Sequence, residues 1–192
     1  MAIQQLRSRI WSLRVQNSDG RHFVPQGEVN QIFTPDNVYA ALKESGAELH
    51  DLATSRDVVL RRAQRVFAIL ITIYEAKAIL TFIANEQLQG NGLDLSLPYR
   101  KAALDFLPLE TAERFYEAQW EFAAPVLSHH FQHRYLDSLI VMPFTTSQFI
   151  GRGSSGIVYE LEVHPQHHEI HHLCKDGVSL DLLISQSSLV TY

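Results

Sequence analysis

Apolar residues recur at helical spacing through the first three quarters of the chain. Leu6, Ile10 and Leu13 fall at i, i+4 and i+7 and predict a short first helix. Asn17-Ser18-Asp19-Gly20 reads as a turn, and Phe23-Val24-Pro25 as an extended link. Thr34-Pro35-Asp36 has the chemistry of a helix start: a capping hydroxyl, a proline at the first helical position and an acid in the first turn. Val38 and Leu42 continue its stripe, and Ser45-Gly46 ends it. Two longer helices are expected near 55–72 and 74–87. Val66, Phe67, Leu70 and Ile71 form the apolar side of the first, with Arg61, Arg62 and Arg65 opposite; Ala78, Ile79, Phe82 and Ile83 form that of the second. Gln89-Gly90-Asn91-Gly92 is a loop, continued by Leu97-Pro98. A last helix is expected over 108–128, burying Leu109, Ala112, Phe115, Tyr116 and Trp120, with Pro125 ending or kinking it.

The pattern changes near Pro143. Residues 157–163 alternate in strand fashion, and 170–175 can pair with them as a hairpin. The expected organisation is a helical domain over 1–142, a β segment over 143–176 and a divergent tail over 177–192. The fold class is mostly α, α+β overall. No internal repeat or low-complexity tract interrupts it.

Charge and composition narrow the possible roles. The chain has 192 residues, 46% hydrophobic and 19% charged, with a formal net charge of -5. It can bury a core, and it lacks the basic field of a general nucleic-acid binder. A single cysteine, Cys174, excludes an intramolecular disulfide framework. The most apolar stretch, 66–83, carries Glu75 and Lys77 in its middle, so it reads as buried helix and not as a membrane span. The N-terminus lacks the apolar core and cleavage site of a secretory signal. It reads as a plain first helix, with an amphipathic mitochondrial presequence as the alternative. The expected location is intracellular, cytoplasmic or nuclear.

The main chemical signal is Gly151-Arg152-Gly153-Ser154-Ser155-Gly156-Ile157-Val158, a G-x-G-x-x-G-x-V match. Glycines let backbone N–H groups approach phosphate oxygens, and Val158 on the returning strand can cover an adenine face. The dinucleotide-binding use of such a loop requires a helix after the glycines. Here the following residues alternate as a strand, which is the protein-kinase arrangement. No GKS or GKT is present. Lys175 follows Val158 by 17 residues and ends an apolar run, the place of the lysine that contacts the α- and β-phosphates. The bland reading of the same loop is a structural β-hairpin turn.

Met142-Pro143-Phe144, Phe149-Ile150-Gly151-Arg152-Gly153, Val158-Tyr159-Glu160 and Val163-His164-Pro165-Gln166-His167-His168 together resemble the start of the catalytic domain in a group of fungal serine/threonine protein kinase-like proteins. In that group a helical region precedes the kinase domain. Phe23-Val24-Pro25, Val66-Phe67-Ala68-Ile69-Leu70, Leu97-Pro98 and Gln119-Trp120-Glu121-Phe122 resemble it too. The resemblance implies a kinase N-lobe remnant over 143–176. It implies Mg-ATP binding through Ile150, Gly151, Gly153, Ser154, Ser155, Gly156 and Val158, with Lys175 as phosphate ligand. Ser155 stands where many kinases place an aromatic, and Leu173 at the usual alanine position.

The 17 residues after Lys175 contain no glutamate for its ion pair, and neither H-R-D nor D-F-G occurs. His133-Arg134-Tyr135 lacks the aspartate. The expectation is a truncated kinase-like chain without phosphotransfer, whose parent family moves the ATP γ-phosphate to protein hydroxyls. The alternative is a noncatalytic helical module that binds a protein partner; no oligomeric state is implied.

Other features carry two readings each. His164, His167, His168, His171 and His172, with Cys174, could bind zinc, but a solvated turn is the expected state. His129, His130 and His133 fit a helix end. Arg61, Arg62 and Arg65 read as a solvated face over a phosphate or partner patch. Trp11, Trp120 and Phe122 read as core aromatics over partner anchors.

Overall fold

The computed structural model describes residues 1–85, 92–127, 136–153, 156–169 and 180–184. Its centre is α5 (Gln64–Thr72), in which Val66, Phe67, Ala68, Ile69, Leu70 and Ile71 all have no solvent exposure. A helix apolar on every side must be covered on every side. Around it pack α1 (Ala2–Ser12), α2 (Gln26–Ile32), α4 (Leu49–Arg62), α6 (Ile79–Ala84) and α7 (Leu109–Ala118). α3 (Pro35–Glu44) lies across α1 and α4.

Several elements follow the expected local chemistry. α1 buries Leu6 and Ile10, and its first amides meet Glu44 at the end of α3: Ala2 N donates to Oε2 at 2.5 Å. α3 opens on a capping box, with Asn37 N donating to Thr34 Oγ1 (3.3 Å) and Thr34 N donating to Asn37 Oδ1 (2.9 Å). The 17–20 turn joins β1 (Val15–Gln16) to β2 (His22–Phe23), and Gly20 takes φ 80°, which a side chain would resist.

Other elements depart from the periodicity. The helix expected over 55–72 is two helices: it breaks at buried Ala63 (φ −142°, ψ 24°), and α4 starts earlier, at Leu49. The break lets α5 turn into the core while α4 stays at the surface. In place of a helix from 74, Tyr74 adopts φ 64°, a short 3₁₀ turn covers Ala76–Ala78, and α6 follows. The helix expected over 108–128 ends at Ala118 and passes into a 3₁₀ turn, Gln119–Glu121. Gln119 explains the early end. It is fully buried, accepts from Tyr99 N at 2.7 Å and donates to Tyr99 O at 2.9 Å, so its side chain acts as a strand partner for that backbone. Leu109, expected in the core, is exposed at the first helical position.

The N-terminus of α5 is satisfied from far away. Its own N-cap residue, Ala63, supplies no side-chain acceptor. Asp94, from the 3₁₀ turn Leu93–Ser96, accepts from Arg65 N (3.1 Å) and Val66 N (2.9 Å). The Arg65 side chain returns the contact, donating to Asp94 O at 2.7 Å and to Phe122 O at 3.3 Å. Arg65 therefore does not lie on a solvated face. Burial pushes its guanidinium below the ordinary value, and Asp94 acts in the opposite direction.

The β segment is a three-stranded antiparallel sheet in the order β3 (Phe144–Gly153), β4 (Gly156–Val163), β5 (Leu180–Ile184). Residues 170–175, expected to pair with β4, lie outside the described residues. The strand seen on that side of β4 is β5, in register Val158 with Leu183 and Leu161 with Leu180. The base of the sheet buries Phe144, Leu161 and Val163 against Leu127. The architecture is thus mostly helical with two small antiparallel sheets. Among the described residues no helix is long and apolar enough to cross a membrane.

Replacing Asp94 by Ala removes the acceptor for two α5 amides, while the Arg65 side-chain bond to the Asp94 backbone carbonyl remains. Chemical denaturation should show a loss of about 1.5–3 kcal/mol, the range for a lost hydrogen bond to a charged group. Asp94→Asn should lose less, since one amide oxygen remains.

Candidate functional site

The glycine-rich segment sits at the tip of the β3–β4 hairpin. β4 follows the glycines directly, so the geometry is strand–loop–strand and not the strand–loop–helix of a dinucleotide site. Pairing runs Phe149 with Tyr159, Gly151 with Val158, Arg152 with Ile157 and Gly153 with Gly156. The register shifts between Phe149 and Gly151, so Ile150 is the extra residue of a bulge. Ser154 and Ser155, which would form the turn, lie outside the described residues, as does Lys175.

Gly151 is informative because nothing among the described residues demands a glycine there. A Cβ built on it would meet no atom within 4 Å, and it is not among the positive-φ glycines. Its open flank is space that something outside the chain can approach. Two large apolar side chains stand beside it in solvent, Phe149 at 58% exposure and Ile150 at 54%. Phe149 meets Tyr159 edge-on at 6.0 Å, and Val158 is half-buried. Arg152 is exposed and is the one basic residue in β3 and β4. The structure thus brings Ile150, Gly151 and Val158 together beside the paired Gly153 and Gly156. An apolar shelf, accessible backbone and one cation can receive a flat ring and an anionic group.

The hairpin's other end is attached to the helical body. Asn17 Oδ1 accepts from Asp19 N and Arg21 N, while its Nδ2 donates to Met142 O at 3.1 Å. Ser18 N donates to Phe144 O at 2.8 Å. After β4, the 3₁₀ turn Pro165–His167 packs on α2 and corrects the expectation of a solvated turn: His167 is only 1% exposed. Phe23 presses edge-on to both His164 (5.6 Å) and His167 (5.3 Å). Both His167 ring nitrogens are engaged, Nδ1 with Pro125 O at 3.0 Å and Nε2 with Gln26 N at 3.3 Å, so neither nitrogen is open to a metal. His171, His172 and Cys174 lie outside the described residues, as do His129, His130 and His133.

The aromatic expectations divide. Trp120 and Phe122 are buried, whereas Trp11 is 47% exposed. Arg14 lies 4.1 Å and Arg7 5.5 Å from the Trp11 ring, and Arg7 also lies 4.1 Å from that of Tyr74. Arg14 is ion-paired with Glu121. Both arginines lie within four positions of Trp11, one before it on the same helix and one just after the helix ends.

No known family, curated protein or solved structure matches this chain.

Gly151→Ala should leave stability within about 0.5 kcal/mol of the parent, as for a surface change that touches nothing. Thermal unfolding of the unliganded protein measures it.

Proposed function

We propose that the β3–β4 hairpin is a nucleotide-binding loop of the protein-kinase type and that it takes Mg-ATP. The carrying observation is Gly151, a glycine with neither a neighbour nor a backbone angle to require it, placed between exposed Ile150 and the paired glycines. The backbone amides of the tip would meet phosphate oxygens, and Ile150 and Val158 would flank the adenine. Lys175 would be the phosphate-contacting lysine, and Arg152 offers a second positive charge. In this reading the chain is a kinase-like protein whose N-lobe strands stand on a helical body. These 192 residues hold no H-R-D or D-F-G motif. The proposed role of this stretch is therefore nucleotide binding without phosphotransfer.

A second reading rests on the helical body as a surface for a protein partner. Trp11 and Tyr74, both exposed, are braced by Arg7 and Arg14 through cation–π contacts. Tryptophan, tyrosine and arginine are the residues that dominate binding energy at interfaces. A protein held by the full chain and lost on Trp11→Ala, with unfolding temperature unchanged, supports this reading. Equal retention removes it.

For the nucleotide reading, Mg-ATP at ten times its Kd should stabilise the protein by about 1.4 kcal/mol. Gly151→Val should abolish that gain while leaving the unliganded protein folded. Absence of any thermal shift at millimolar Mg-ATP sinks the reading, and so does an equal shift in the variant.

A further inference from the structure

The His167 ring is held by two partners of opposite kind. Pro125 O can only accept and Gln26 N can only donate. Together they admit one form of the ring, neutral with its proton on Nδ1. The residues beside it complete the attachment. Leu127 N donates to His167 O at 2.7 Å, Glu169 N to Leu127 O at 2.9 Å, and Gln166 Nε2 to Glu28 Oε1 at 2.6 Å. Residues 164–169 thereby join β4 to the N-terminal turn of α2 and to the segment that follows α7.

A second proton on this ring must go to Nε2, where it would point at the Gln26 N–H, donor against donor. The charged and titratable surroundings offer it little help. Arg65 from α5 and His164 from the same turn both disfavour a positive ring. Glu28 from α2 acts on His164 and is already hydrogen-bonded by Gln166; His168 opposes charge on His164. Phe23 from β2 supplies only an aromatic edge.

We propose that His167 is an acid-released latch between the helical body and the sheet. Neutral, it holds residues 164–169 against Gln26 and Pro125. Protonated, it opens that attachment, while the Asn17 contact to Met142 and the Ser18 contact to Phe144 remain. Burial, the largest effect on the ring, lowers its proton affinity in the latched state and outweighs the Pro125 hydrogen bond, which raises it. The released ring returns to the ordinary histidine value near 6.5. A group whose value is lowered in the closed state stabilises that state fully above the ordinary value. That stabilisation is lost as pH falls below about 6.5 toward the latched value.

Amide hydrogen exchange on the full chain at pH 7.5 and 5.5, corrected for intrinsic rates, tests the latch. In the parent protein, protection of the Leu127 and Glu169 amides should fall at the lower pH by at most about tenfold, since pH 5.5 lies one unit below the ordinary histidine value. The α5 amides should keep theirs. In His167→Gln, which cannot be charged, protection at Leu127 and Glu169 should be the same at both values. Parallel loss in parent and variant overturns the proposal. An NMR titration of the parent's His167 ring decides it even where the variant fails to fold. A ring found neutral, protonated on Nδ1 and titrating below the ordinary value as Leu127 and Glu169 lose protection supports the latch. A ring titrating at or above that value with both amides still protected overturns it.

Discussion

The burial of α5 is the constraint on which the helical body depends. Each fully buried aliphatic or aromatic side chain contributes about 1.5–3 kcal/mol, and this helix carries a continuous run of them. A buried helix also brings unpaired amides at its start, and these must find acceptors. Asp94 supplies both oxygens to that end, and Arg65 ties the same turn to Phe122. Asp94 and Arg65 together join three segments distant in sequence: the start of α5, the 93–96 turn and the chain leaving α7. The break at Ala63 follows from the same demand. An unbroken helix from Leu49 would leave no open amides at 65 and 66 for Asp94 to receive.

What could be read from sequence is what local chemistry decides. Leu6 and Ile10 mark α1, and Thr34 with Pro35 marks the start of α3, because the partners lie within a turn or two. The misreadings share one cause. Arg65 sits on a helix flank as a solvated arginine would, and only Asp94, 29 positions away, makes it internal. Gln119 ends a helix that its own periodicity would extend, because Tyr99 offers two backbone groups to its amide. His167 lies in a polar histidine run that resembles a surface turn, yet Phe23, Gln26 and Pro125 enclose it. Trp11 errs in the other direction: an apolar residue near the end of an amphipathic helix is left half open and stacked by arginines. The candidate site was legible as a motif, since glycine spacing and strand alternation are both local. Its attachment to the rest of the chain was not.

That attachment gives the sheet a gradient of order. At its base, Phe144, Leu161 and Val163 are buried, and two polar clamps, Asn17 and His167, bind the strand ends to the helical body. Toward the tip, Phe149, Ile150 and Gly151 have few or no protein neighbours. Regions with little apolar burial open at low free-energy cost, so the tip can adapt while the base stays fixed. A ligand ordering the tip would need to disturb none of the core contacts around α5.

β4 is the element that joins the two ends. It runs from Gly156 at the tip to Val163 at the base, and His164 follows it into the latch. Its odd-numbered side chains, Tyr159, Leu161 and Val163, face the buried cluster, while Glu160 and Glu162 face solvent. The bulge at Ile150 lies on β3, so β4 keeps an unbroken register with β5 from Ile157 to Leu161. Beyond Leu161, β4 is held by β3 alone among the described residues. The His167 contact and the open glycine hairpin thus lie at opposite ends of β4, and neither end passes through α5.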